Sequence, residues 1–168
     1  ISGPLFDVKL SEIIDFLLET GERMDLKRNP YLQECLERTA RTNPLPRRVL
    51  ENIYGRGNKF ISREALETQV AANFHDPAVL DGWVDRVDAF GQKSKIRAFP
   101  PRLVHIAAGN SPSSAMATIS QGALVKAVNL IKMPSSDPFT VVAVLRTMAD
   151  IDPDHPVVKS FKIGRAHV

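Results

Sequence analysis

Apolar residues change their period along this chain, and the change falls near residue 100. Before it the pattern is helical. Leu10, Ile13, Ile14, Leu17 and Leu18 recur at the spacing of an amphipathic helix over residues 10–22, with Thr20 or Gly21 closing it. A second helical pattern spans 29–42 and is opened by Asn29 and Pro30. A third spans 46–54 and ends at Gly55-Arg56-Gly57. A fourth, over 62–73, begins at Ser62. Asp76-Pro77 opens a fifth, expected to pass through Trp83 and end near residue 87. Residues 95–99 read as a short strand, broken by Pro100-Pro101.

Beyond residue 100 the pattern becomes strand, helix, strand, helix. Residues 103–108 are an unbroken apolar run apart from His105, as expected of a strand covered on both faces. Residues 128–133 form the second such run, with Asn129 at its start and Lys132 near its end. Between them, 112–126 is rich in small and apolar residues, with Met116, Ile119, Ala123 and Val125 near helical spacing. This order implies parallel strands joined by a right-handed crossover. Asp137-Pro138 then starts another helix, because Asp caps free N–H groups and Pro at the first position loses no hydrogen bond. Its apolar residues Phe139, Val142, Leu145 and Met148 are spaced at three.

The expected fold class is therefore α/β. A helical region (1–100) precedes the first half of a Rossmann-like parallel-sheet nucleotide-binding domain (101–162). Two strands fall short of the about five or six of a typical sheet. The domain reads as truncated, and its exposed parallel edge predicts poor solubility in isolation. Ligands of open α/β sheets bind at the carboxyl ends of the strands, which directs attention to the residues after 108 and around 132. A lone histidine in an apolar strand, as His105 is, is expected to be packed and hydrogen-bonded. No His, Cys or paired carboxylates stand at metal-ligand spacing, so no metal site is expected.

Two blocks in this stretch carry a resemblance. They are His105-Ile106-Ala107-Ala108-Gly109-Asn110-Ser111-Pro112 and Ile131-Lys132-Met133-Pro134-Ser135-Ser136-Asp137-Pro138-Phe139, with a further echo in Gly82-Trp83. The chain resembles the aldehyde dehydrogenase superfamily and, within it, the long-chain fatty acyl-CoA reductases of the bacterial bioluminescence type (LuxC-like). The resemblance implies that Asn110 donates its side-chain amide to the oxygen of the reacting carbonyl, where negative charge grows in the tetrahedral state. It implies that Lys132 reaches the adenosine ribose of a dinucleotide. Many NAD-using relatives carry a glutamate three positions after that lysine. Ser135 stands there instead, which removes a repulsion of the 2′-phosphate, and with Ser136 adjacent the implied cofactor is NADPH. Local sequence alone also allows plainer roles: Asn110 as a helix cap or turn, Lys132 as a solvated strand end, Ser135 and Ser136 as turn residues.

The family works through a cysteine nucleophile that lies well downstream of the second strand. The single cysteine of this chain, Cys35, sits in the 29–42 helical pattern and reads as a partly buried apolar residue. The nucleophile is thus expected beyond this chain, and the chain by itself is expected to be inactive. One cysteine fits a reducing cytoplasm. Residues 163–168, Ile-Gly-Arg-Ala-His-Val, show no secondary-structure logic. They match what a common sequencing adapter, ATC-GGA-AGA-GCA-CAC-GTC, encodes in one frame, and are read as adapter read-through.

Composition changes little. The 168 residues are 43% hydrophobic and 24% charged, ordinary for a globular protein. The net charge of +3 raises nucleic-acid binding, but Arg47-Arg48 and the basic loop at 56–59 form no stripe and have no aromatic platform. No apolar run is long enough to span a membrane. Three functions remain in play. The first is the N-terminal part of an NADPH-dependent acyl-CoA reductase, which takes a long-chain acyl-CoA or acyl-protein donor to a fatty aldehyde and whose parent protein is oligomeric in many relatives. The second is part of an NAD(P)-dependent aldehyde dehydrogenase. The third is a non-catalytic helical interaction module.

Overall fold

A computed structural model describes residues 3–56, 61–108 and 114–164. The N-terminal helices are α1 (Leu10–Arg23), α2 (Pro30–Thr42), α3 (Arg47–Tyr54) and α4 (Arg63–Asn73), each within a few residues of its sequence pattern. Local chemistry explains their starts. Asn29 Oδ1 accepts from Leu32 N at 3.0 Å, and Ser62 Oγ from Ala65 N at 3.2 Å. Asn29 does more than cap. Its amide donates to Arg23 O at 2.9 Å and to Thr147 Oγ1 at 2.8 Å, so one buried side chain joins the end of α1, the start of α2 and a helix of the C-terminal part.

The expected fifth helix is absent. Asp76 Oδ1 caps Ala78 N, but only a single 3-10 turn forms, over Pro77–Leu80. The chain then enters β1 (Val84–Val87), which pairs antiparallel with β2 (Lys93–Ile96). The turn between them decides the matter. Asp88 Oδ1 accepts from Phe90 N and Gln92 N, and Gly91 adopts φ +78°, a conformation that glycine takes without strain. A hairpin closed this way gives the β-branched residues of 84–87 a ladder that a helix would deny them. The short strand expected at 95–99 accordingly lies a little earlier, in β2.

The C-terminal part runs β3 (Arg102–Ile106), α5 (Ser114–Leu124), β4 (Val128–Lys132), α6 (Thr140–Ile151), α7 (Pro156–Lys159) and β5 (Phe161–Gly164). The strands form a three-stranded parallel sheet in the order β3-β4-β5. Ile163 and Gly164, expected to lack secondary structure, belong to β5 and pair with Ile131 and Lys132. Residues 165–168 lie outside the described residues. Helix α6 starts two residues after Pro138, although Asp137 still supplies the cap: its Oδ1 accepts from Thr140 N at 3.1 Å.

The expectation that β3 is covered on both faces also fails. Its side chains alternate, and Val104 and Ile106 are 67% and 77% exposed. The strand order gives the reason. Successive strands are added in one direction, and right-handed crossovers then put every connecting helix on the same face. Helix α5 packs on α6, and both pack on α1. The core is one cluster that runs through both parts of the chain, from Leu5, Ile13 and Leu17 through Leu32, Leu50 and Leu66 to Ile131, Val144 and Phe161.

Candidate functional site at the carboxyl edge of the sheet

Lys132 is the last residue of β4 and pairs in register with Ile106, the last residue of β3. The ladder continues one step further, with Ala107 N donating to Lys132 O at 3.1 Å. The two strands therefore end side by side, and the loops that follow them leave from the same edge. Lys132 is exposed, and among the described residues no carboxylate forms an ion pair with it. Lys126, a few residues earlier, is its opposite: buried, with Nζ 2.7 Å from Asp81 Oδ1.

Ser135 is exposed and Ser136 half-buried in the loop between β4 and α6, so the structure brings Lys132, Ser135 and Ser136 together in one segment. Residues 109–113, among them the candidate oxyanion donor Asn110, lie outside the described residues. His105 is packed and bonded as expected, with Nε2 2.9 Å from Asn129 Oδ1, a fully buried amide.

The acid in this loop is turned inward. Asp137 is 4% exposed. Its Oδ1 accepts from the backbone N–H groups of Phe139 and Thr140, and its Oδ2 accepts from Thr140 Oγ1 at 2.6 Å. The positive end of α6 and these donors satisfy the carboxylate internally. Among the described residues of this segment, Lys132 and Ser135 are thus exposed and Asp137 is buried.

Sequence reasoning missed what stands behind Asp137. Tyr54 OH, from the last residue of α3, lies 2.8 Å from Thr140 Oγ1. Thr39 Oγ1, from α2, donates to Asp137 Oδ1 at 3.4 Å, and the Cys35 thiol donates to Tyr54 OH at 3.3 Å. The signal was present: Leu32, Cys35, Leu36 and Thr39 form one buried stripe of α2, with a threonine in an apolar slot. Burial pushes the Cys35 thiol above its ordinary value, and hydrogen bonding with its hydroxyl neighbours offsets that only in part. Burial raises the Tyr54 phenol likewise, helped by Cys35 and Asp137. Cys35 is therefore a neutral thiol inside the core and is unsuited to nucleophilic attack. No helix among the described residues is long and apolar enough to cross a membrane.

Comparison with known proteins adds the following. The family model described as Acyl-CoA reductase (LuxC) matches residues 5–163. A long-chain acyl-protein thioester reductase of Vibrio harveyi is 27% identical over 95% of this chain, which corresponds to 33% of that protein. One from Aliivibrio fischeri is 30% identical over 94% of the chain and 32% of its own length. Another, from Photobacterium phosphoreum, is 31% identical over 61% of the chain. The chain spans about a third of the length of the first of these relatives.

Proposed function

The chain belongs to the acyl-CoA reductase (LuxC) family, and from that premise we propose that the protein containing it reduces long-chain acyl thioesters to fatty aldehydes with NADPH. The acyl donor is an acyl-CoA or an acyl-protein thioester, and the relatives' names favour the latter. Overall, an acyl thioester, a hydride and a proton give an aldehyde and a thiol. NADPH, when bound, supplies the hydride.

The roles proposed for this chain's residues follow from their chemistry. Lys132 holds the adenosine ribose and its 2′-phosphate by charge, and Ser135 and Ser136 donate hydroxyl hydrogen bonds to the same group. Asn110 donates to the thioester oxygen as negative charge grows there. Cys35, the one cysteine of these 168 residues, is buried, and the proposed acyl-accepting cysteine is therefore a residue other than Cys35.

The observation that carries the NADPH reading is an exposed Lys132, which has no carboxylate partner among the described residues, beside an inward-turned Asp137. The test is to titrate NADPH and NADH into the full-length protein and then supply a long-chain acyl thioester. NADPH should bind more tightly, and one aldehyde should form per NADPH oxidised. Lys132→Ala should weaken NADPH binding about tenfold, the worth of one charge-assisted contact. A protein that oxidises aldehydes with NAD and reduces no thioester would instead be an aldehyde dehydrogenase.

A further inference from the structure

The buried hydroxyls behind Asp137 join the helical region to the loop that follows β4. Thr140 Oγ1 donates to Asp137 Oδ2 at 2.6 Å, and the Tyr54 hydroxyl lies 2.8 Å from Thr140 Oγ1 and also reaches Thr39 Oγ1 at 3.3 Å. The series runs from the end of α3, through the first residue of α6, to the carboxylate in the loop. Thr39 of α2 reaches the same carboxylate through its other oxygen. A second tie lies nearer the surface, where Thr42 Oγ1, at the last position of α2, donates to Ser136 O at 3.2 Å.

Each of these groups is paid for by its partners. Thr39, Thr140 and Asp137 are all at most 4% exposed, as is Tyr54. A buried hydroxyl gains little over an apolar isostere as long as every partner is satisfied. What it adds is direction: the loop backbone at 136–140 is held in one arrangement relative to α2 and α3. Lys132 and Ser135–Ser136 are carried by that loop and by the strand end before it.

We propose that Tyr54 is a positioning residue for the dinucleotide: through Thr140 and Asp137, with Thr42 on Ser136 as a second anchor, it holds the β4–α6 loop in the geometry that grips the 2′-phosphorylated ribose. This rests on the NADPH reading above. The helical region then does more than enlarge the core, because it fixes the cofactor loop from behind without touching the cofactor.

The experiment is an NADPH fluorescence titration of the full-length protein and its variants, together with melting curves taken without nucleotide. Tyr54→Phe and Thr140→Val each remove one hydroxyl, and Thr140→Ser keeps it. Tyr54→Phe and Thr140→Val should weaken NADPH binding about tenfold, with NADH binding nearly unchanged, and Thr140→Ser should bind like the parent. Thr42→Val alters a group at the rim rather than in the core, so it tests the same idea if the core variants fail to fold; it should weaken NADPH binding severalfold. Unchanged NADPH binding in folded Tyr54→Phe and Thr42→Val would overturn the proposal, as would equal weakening of both nucleotides that Thr140→Ser does not rescue. If the unaltered protein binds neither nucleotide, the NADPH reading itself fails and this inference falls with it.

Discussion

Gly122 shows how a single position can be set by a neighbour far away in sequence. A Cβ there would stand 2.3 Å from Asn129 Oδ1, which is closer than any real contact allows. Asn129 cannot yield cheaply. It is fully buried, its Oδ1 is bonded to His105, and its Nδ2 donates to Ala127 O at 2.9 Å. Gly122→Ala should therefore destabilise the chain by about 2–4 kcal/mol, combining overpacking with the loss of a buried hydrogen bond. Gly82→Ala is the control, because nothing lies within 4 Å of its Cβ. Denaturant midpoints of the two variants would decide it, and equal midpoints would remove Gly122 from this role. At this scale the sequence was legible where chemistry is local. The caps at Asn29, Ser62 and Asp137 were readable, as was a packed, hydrogen-bonded His105. Tyr54 and Thr140 were not, because their partners lie on other helices.

Among the elements, the turn from α5 into β4 carries the largest local conflict. Lys126 adopts φ +57°, a left-handed conformation that costs a non-glycine residue about 1 kcal/mol. Ala127 N bonds Gly122 O and Lys126 N bonds Ala123 O, the pairing that closes a helix through such a residue. A glycine would suit the backbone, but it would lose the buried ion pair to Asp81, whose Oδ1 also accepts from Leu10 N at 2.9 Å. The pair thus locks the crossover of the sheet to the start of α1. Asp81→Ala leaves the Lys126 charge buried without a partner and should cost about 3 kcal/mol or more. Lys126→Met should cost less, since Asp81 is partly exposed and keeps its backbone donor. Thermal melting of the two variants checks the order, and a more harmful Lys126→Met would refute this account. The fifth helix expected at 76–87 failed at the same scale: Asp-Pro is a sound start signal, but the Asp88–Gly91 turn downstream closes a hairpin that outcompetes it.

For the whole molecule, the consequence lies in the uncovered face of the sheet. Val104, Ile106 and Leu130 point to it at 67%, 77% and 42% exposure, next to Lys132 and Lys162. An apolar patch on a parallel sheet is unusual, because such sheets are normally buried on both sides. The 168-residue chain by itself should therefore associate through this face. Replacing Val104 and Leu130 by Thr, whose β-branch suits a strand and whose hydroxyl makes the face more polar, should shift it toward monomer without lowering its melting temperature by more than a few degrees. Sedimentation velocity tests this; unchanged association in the double variant would move the contact elsewhere.

The sequence by itself determined helices α1 to α6, the parallel strands β3 and β4 and the order in which they alternate, because each rests on periodicity and capping within a few residues. The paired blocks around Asn110 and Lys132 also made the family legible. Only the tertiary structure decided which face of the sheet is covered, since that follows from strand order and crossover hand rather than from composition. It also decided that Asp137 turns inward against Thr140 and that α2 and α3 brace the loop beside Lys132. The two bracing contacts join residues 94 and 86 positions apart, and a pattern read along the chain shows the stripe of α2 but not what it meets once the core closes.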